Sequence, residues 1–289
     1  MAKVAFLGLG VMGFPMAGHL AAKGHDVTVY NRTFAKAEAW TKKHKGKATK
    51  TPKEAAAGQE IVFCCVGNDD DLRSVVLGPD GAFAGMGKGT IFFDNTTASA
   101  DIARELHAAG KKLGIDFIDA PVSGGQAGAE NGQLTVMCGG EQAPFDKTKP
   151  VADGFSKAVT LIGPPGSGQI TKMMNQMCIA GIVQGLAEAL NLGQRAGLDM
   201  DKVMSAISKG AAQSWQMENR WQNMVAGKFD YGFAVNWMRK DLGIAMSEGK
   251  RHSAQMPVVA LVDQFYQRVQ ERGGGRWDTS SLIQPLQKA

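Results

Sequence analysis

The segment Gly8-Leu9-Gly10-Val11-Met12-Gly13 constrains this chain more than any other stretch. It follows an apolar run that starts at Val4 and leads into Met12 to Lys23, which is compatible with a helix. Glycines at this spacing are a weak signal alone; a strand before and a helix after give them weight. Gly8 makes a tight turn, Gly10 lets the backbone approach a ligand closely, and Gly13 lets the helix pack on the strand. The helix N-terminus then faces negative charge, as the pyrophosphate of a dinucleotide requires.

The end of the second apolar run tests that reading. A nicotinamide dinucleotide without a 2′-phosphate is usually gripped there by an acidic residue. This chain instead has Tyr30-Asn31-Arg32-Thr33. Asn31 is neutral, Arg32 can pair with a 2′-phosphate or point to solvent, and Thr33 can donate a hydrogen bond. The pattern favours NADP, with NAD possible.

The first half alternates six strand-like runs with helical stretches. The runs begin at Val4, Asp26, Glu60, Thr90, Asp116 and Gln133. The helical stretches are Met12 to Lys23, Ala35 to Lys43, Asp69 to Leu77 and Ser99 to Leu113. This alternation predicts an α/β fold: a doubly wound, mostly parallel Rossmann-type sheet with helices on both faces. After Gly163 helical patterns take over. A helix of about thirty residues, ~45 Å long, is expected from Pro164-Pro165-Gly166 to near Gly193, buried on most sides. Gly181 and Gly185 on it would let another backbone approach. The expected domains are residues 1–163, binding the dinucleotide, and 164–289, all-helical, serving substrate and oligomerisation.

Composition narrows the function classes. Hydrophobic residues are 44% and charged residues 20% of the chain, ordinary globular usage. The net charge of +5 is scattered except at Lys42 to Lys50, which reads as a solvated helix end. Basic residues are not interleaved with aromatics and no nucleic-acid module is present, so no nucleic-acid partner is expected. The first apolar run is broken by glycines and is not read as a signal peptide. No run reaches the ~18 to 20 apolar residues of a membrane helix, and no membrane association is expected. Cys64, Cys65, Cys138 and Cys178 lack metal-ligand spacing and read as reduced core thiols of a cytoplasmic protein, with Cys64 and Cys65 on opposite faces of a strand. No metal is expected.

Four further segments carry chemistry. Val66-Gly67-Asn68 and Thr96-Thr97 sit where strands end, the edge at which ligands lie in open parallel sheets, and are either cofactor contacts or ordinary turns. Ser123-Gly124-Gly125 offers a hydroxyl and bare amides suited to a carboxylate, or is a flexible turn. Lys172 lies among Ile170, Met173 and Met174 and shares a helix face with Asn175 and Gln176. Desolvation there would lower its pKa toward a proton donor's working range, although a lone helical lysine is commonly a surface charge.

Together these motifs resemble the β-hydroxyacid dehydrogenase family, which includes 3-hydroxyisobutyrate dehydrogenases, tartronate semialdehyde reductases and glyoxylate/succinic semialdehyde reductases. FLGLGVMGFPMAGHL is similar to the family's N-terminal signature, with His19 where Asn is usual. DAPVSGGQAGA is similar to its substrate motif, GSGQITKMMNQ to its catalytic-lysine motif, and RKDLGIA to a later cofactor- and substrate-facing segment. The resemblance implies hydride transfer between NAD(P)H and a small 3-hydroxy acid or semialdehyde, with Lys172 as general acid/base. It implies that Ser123, Gly124 and Gly125 hold the substrate carboxylate, and that Thr97 and Lys240 lie near the nicotinamide ribose. Asp241 would order Lys240 or the substrate. The amide four residues after the lysine is often Asn; here it is Gln176 preceded by Asn175, and both remain substrate-binding candidates. Gln126, Trp215, Met217, Tyr231, Phe233 and Trp237 are either pocket walls or core. A homodimer or homotetramer is expected by analogy. The competing class is a non-catalytic nucleotide-binding scaffold of the same fold.

Overall fold

The computed structural model describes residues 1–287. Twenty-one strands and α-helices follow in chain order. They are β1 Lys3–Leu7, α1 Gly13–Ala22, β2 Asp26–Tyr30, α2 Phe34–Thr41, β3 Lys47–Thr49, α3 Pro52–Ala56 and β4 Ile61–Cys64. Next come α4 Asp69–Val76, β5 Ile91–Asp94, α5 Ala100–Leu113, β6 Asp116–Asp119, β7 Val122–Ser123, α6 Gly125–Glu130 and β8 Leu134–Gly139. The last are α7 Gln142–Ala152, β9 Ser156–Gly163, α8 Ser167–Arg195, α9 Met200–Ile207, α10 Trp215–Ala226, α11 Val235–Arg251 and α12 Pro257–Glu271. The chain forms two compact units, Met1–Lys172 and Met173–Ala289.

The first unit is built on one sheet of strand order β3-β2-β1-β4-β5-β6-β8-β7, with β9 beside β8. The six strands from β3 to β6 in that order run parallel. β8 is antiparallel to β6 and β7 and parallel to β9. Alternation along each strand divides the core between two faces. Val4 and Phe6 pack with α1 through Met16, Ala17 and Leu20, while Ala5 and Leu7 pack with α4 and α5 through Leu72, Val76, Ile102 and Leu106. The Rossmann-type α/β sheet expected from the sequence is therefore the structure found.

Several local readings are corrected. Lys42 to Lys50 is not only a helix end, because Lys47–Thr49 is an edge strand paired with β2. An edge strand exposing lysine discourages pairing with another chain, which explains its low apolar content. β9 also escaped the strand reading, since Lys157, Ala158, Thr160 and Ile162 are exposed and break the apolar run. Cys64 lies in the core on the α4 and α5 side, and Cys65, half-buried just past β4, packs against the core on the α1 side, so the two face opposite ways as expected. Cys178 is exposed and is not a core thiol.

The second unit is helical and buries Ala180, Val183, Leu186, Ala187 and Leu190 of α8 against Met224, Met238, Leu242, Val262 and Tyr266. α8 has 29 residues, close to the expected thirty. Its expected burial on most sides is not found within the chain: Met174, Cys178, Ile182, Gly185 and Leu192 are exposed along one side. Among the described residues no backbone atom from outside α8 comes within 4 Å of where a Cβ on either glycine would stand. A Cβ on Gly181 would meet only Val258, at 3.9 Å, and one on Gly185 would meet nothing within 4 Å. No helix among the described residues is long and apolar enough to cross a membrane.

Candidate active site

The glycine turn sits where the strand order reverses, between β1 and β4, the crevice in which open α/β sheets bind nucleotides. Gly8 has φ 94°, and a Cβ there would lie 2.3 Å from the Cys65 carbonyl oxygen. A Cβ on Gly13 would lie 1.9 Å from the Gly8 carbonyl oxygen, so the helix can approach the strand only as glycine. Around Gly10 a Cβ would meet nothing within 4 Å, which leaves the open side that a pyrophosphate needs. Met12 gives α1 no side-chain cap, and its first turn has no acidic residue. Phe14 and Met16 already donate to the Gly10 and Met12 carbonyls and Pro15 has no amide hydrogen, so the Gly13 amide is the one that turn leaves for an anion. Leu9 is buried, Val11 is exposed and Met12 half-buried.

The loops on either side complete the cradle. The Leu9 amide donates to Asn31 Oδ1 at 2.9 Å, and Asn31 Nδ2 donates to the Thr33 carbonyl at 3.0 Å. Asn31 thus braces the glycine turn, a role its neutrality alone did not suggest. Arg32 is exposed and its Nη1 lies 2.8 Å from Asp71 Oδ1. Thr33 is the N-cap of α2 but makes no capping bond, so its hydroxyl is available to a ligand. Val66 and Gly67 are half-buried, and Asn68 caps α4 by accepting the Asp71 amide at 2.8 Å. The paired threonines separate in role. Thr96 is fully buried and its Oγ1 accepts the Val66 amide at 3.1 Å, whereas Thr97 is half-buried.

The strand ends carry two buried carboxyls that the sequence reading gave no role. Asp94 and Asp119 are opposite each other in register on β5 and β6. Asp119 accepts from the amides of Gly166 at 2.7 Å and Gln169 at 2.9 Å and so holds the start of α8. Burial pushes it up to about 6, although those amides pull it down. Gln169 donates to the Thr96 carbonyl at 2.7 Å and accepts the Ala98 amide at 3.0 Å. The first turn of α8 is therefore tied to the sheet on both sides. That turn delivers Lys172, which is buried with 7% exposure.

Asp94 Oδ2 is buried without a partner, and burial pushes the carboxyl up to about 7 from an ordinary 3.8. The folded chain keeps a proton that the unfolded chain releases. Asp94's contribution to stability is therefore full below pH 3.8 and lost as pH rises through about 7. Asp94→Asn cannot ionise and should flatten the loss of stability between acid and alkaline pH by about 2–4 kcal/mol. Urea unfolding at a series of pH values measures this; a slope equal to the parent's would show that the buried carboxyl does not hold its proton.

Ser123 ends β7, and Gly124 and Gly125 follow with φ of 133° and 62°, conformations that exclude side chains. They present amides at the start of α6. His19 Nε2 lies 3.0 Å from the Ala129 and Glu130 carbonyls at the far end of α6.

In the second unit Asn175, Gln176, Lys240 and Asp241 come together. Asn175 Nδ2 donates to Gln176 Oε1 at 2.8 Å, and Gln176 Nε2 donates to Asp241 Oδ2 at 2.7 Å. Lys240 Nζ lies 3.2 Å from Asp241 Oδ1, at ion-pair distance but without hydrogen-bond alignment. Gln176 and Asp241 are buried, while Asn175 and Lys240 are half-buried. Met217 is core and Phe233 packs on it. Trp215 and Tyr231 flank the Arg220 guanidinium at 4.9 and 5.9 Å. Trp237 stands 5.7 Å from Lys240, and Gln126 is exposed.

A parallel sheet with this glycine turn at its switch point defines a dinucleotide-binding protein. Residues 3–163 match the NAD binding domain of 6-phosphogluconate dehydrogenase, and residues 166–286 match the NAD-binding segment of NADP-dependent 3-hydroxyisobutyrate dehydrogenase. An uncharacterized oxidoreductase of Shewanella frigidimarina is 64% identical over 100% of this chain and 99% of its own. The 2-hydroxy-3-oxopropionate reductase of Escherichia coli is 31% identical over 99% of this chain and 97% of its own. Among solved structures, a Mycobacterium tuberculosis 3-hydroxyisobutyrate dehydrogenase with L-serine is similar at a TM-score of 0.91 and 28% identity, covering 100% of both chains. The chain belongs to the 3-hydroxyisobutyrate dehydrogenase, or β-hydroxyacid dehydrogenase, family and is an NAD(P)-dependent oxidoreductase of the 3-hydroxyacid dehydrogenase class.

Proposed function

We propose that this protein reduces the aldehyde of a small carboxylate-bearing semialdehyde to the corresponding hydroxy acid, a 3-hydroxy acid where the carbonyl carbon is C3, and runs the reverse oxidation, with NADPH preferred over NADH. The substrate is of the 3-hydroxyisobutyrate, tartronate semialdehyde or succinic semialdehyde type. The nicotinamide, when bound, supplies the hydride and its electron pair to the carbonyl carbon. As the carbonyl π pair moves onto oxygen, Lys172 Nζ gives that oxygen a proton; in oxidation it takes the proton back. Ser123 Oγ and the amides of Gly124 and Gly125 hold the carboxylate, which fixes the carbonyl for attack. Thr97 and Lys240 take the ribose beside the nicotinamide. Asn175 and Gln176 offer amides one turn along the helix from Lys172, and Asp241 fixes the Gln176 amide by hydrogen bond.

The observation that carries this reading is the burial of Lys172 on a turn anchored by Asp119 and Gln169. Such a lysine is not a solvated surface charge. The NADP preference is supported by Arg32, the unengaged Thr33 hydroxyl and the absence of an acid in the first turn of α2.

A panel of three- to five-carbon semialdehydes and hydroxy acids, assayed with NADPH and NADH separately, tests the proposal. At least one carboxylate-bearing semialdehyde should oxidise NADPH, and the matching aldehyde without its carboxylate should react poorly. Tight NADPH binding with no turnover on any member would favour the scaffold reading instead.

A further inference from the structure

The nucleotide cradle contains an ion pair that neither the fold nor the hydride transfer requires. Tyr30 and Cys64 both stand opposite Leu7, so β2 and β4 end level with each other on either side of β1. Arg32 lies just past β2 and Asp71 in the first turn of α4. Their contact at 2.8 Å joins the two loops that flank the glycine turn. The other acids of that turn face elsewhere. Asp69 accepts from the amide and hydroxyl of Ser99, and Asp70 pairs with Arg73 at 3.3 Å. Asp71 is thus the acid aimed at the cofactor edge, and the Asn68 cap fixes its backbone.

Arg32 engages Asp71 through one terminal nitrogen, and its side chain is 82% exposed against 28% for Asp71. An exposed pair like this is weak and exchanges readily. A phosphate, with more charge and three acceptor oxygens, is the stronger partner for a guanidinium. We infer that Asp71 sets the cofactor selectivity of this enzyme by competing with the 2′-phosphate of NADPH for Arg32. A bound 2′-phosphate must displace the carboxylate or lie beside its negative charge. NADH has a neutral hydroxyl at that position and meets neither obstacle. The inference rests on Arg32 being the phosphate's partner, as proposed above.

Dissociation constants for NADPH and NADH on the full-length protein, by titration calorimetry, test it in the parent, Asp71→Asn, Arg32→Ala and the double variant. Asp71→Asn should tighten NADPH by about three- to fivefold and leave NADH nearly unchanged, so the selectivity ratio rises. NADH binding also reports that the variant cradle is folded. In the Arg32→Ala background the same substitution should gain less than half as much, because the residual effect is charge repulsion alone. An Arg32→Ala ratio equal to the parent's would remove the phosphate reading, and this inference with it. A ratio that falls in Arg32→Ala but does not rise in Asp71→Asn would overturn the inference alone. Weaker NADPH binding in Asp71→Asn would mean that the carboxylate aims Arg32 rather than competing for it, and would also overturn it.

Discussion

Replacing Lys172 by alanine is expected to lower kcat for semialdehyde reduction by about 10²- to 10⁴-fold, the range a positioned general acid supplies. The dissociation constant for NADPH should stay within about twofold, since the nucleotide cradle is built from the strand ends of β1, β2 and β4 and not from this side chain. The backbone should hold as well. Asp119 takes the Gly166 and Gln169 amides, and the Gln169 side chain is tied to Thr96 and Ala98, whatever stands at position 172. Lys172→Arg separates charge from proton transfer. An arginine keeps the positive charge but does not release a proton in the working pH range, so it should stay as slow as alanine. Single-turnover kinetics with saturating NADPH reads the step directly; full activity in Lys172→Ala would take the lysine out of the mechanism.

The second large effect is on stability. Asp278→Ala should cost about 3–5 kcal/mol in the helical unit, the penalty for leaving one partner of a buried ion pair alone. Arg220 donates to both Asp278 oxygens, from Nε at 2.9 Å and Nη2 at 3.0 Å. Asp278 also accepts the amides of Phe233 at 2.8 Å and Ser280 at 3.0 Å. The carboxylate is wholly buried and the arginine side chain only 10% exposed, so water cannot replace what is lost. The double substitution Arg220→Met with Asp278→Leu should recover part of the loss, because the stranded charge goes with it. Chemical unfolding of the parent and the two variants checks this; an Asp278→Ala midpoint equal to the parent's would deny the pair any structural weight.

What the sequence reveals and what it hides follow from the range of the interactions. Gly8, Gly10 and Gly13 are legible because their spacing between a strand-like run and a helical stretch is local, although the atom that excludes a side chain at Gly8, the Cys65 carbonyl oxygen, lies far along the chain. The long helix was readable from its apolar period, and only its exposed side, Met174 to Leu192, was misjudged, since periodicity cannot say what covers each face. β3 and β9 were missed because edge strands need no continuous apolar run. The Asn175–Gln176–Asp241 chain joins residues 65 positions apart, so the sequence could name its members but not their order. Asp119 lies inside DAPVSGGQAGA, but its grip on the start of α8 reaches across 47 residues to Gly166 and has no local signature. Asp69, Asp70 and Asp71 stand side by side in the sequence, and only their partners Ser99, Arg73 and Arg32, distant or on the helix, distinguish them.

The bond from the Leu9 amide to Asn31 has one more consequence. A side chain from the neighbouring strand already holds the anion-facing turn in shape, so the receptor is finished when the chain folds. The disorder that a loose glycine loop would surrender on meeting its ligand is given up once, during folding, and does not recur at every encounter. For an enzyme that admits and releases a nucleotide in each cycle, that part of the ordering cost is removed from every encounter.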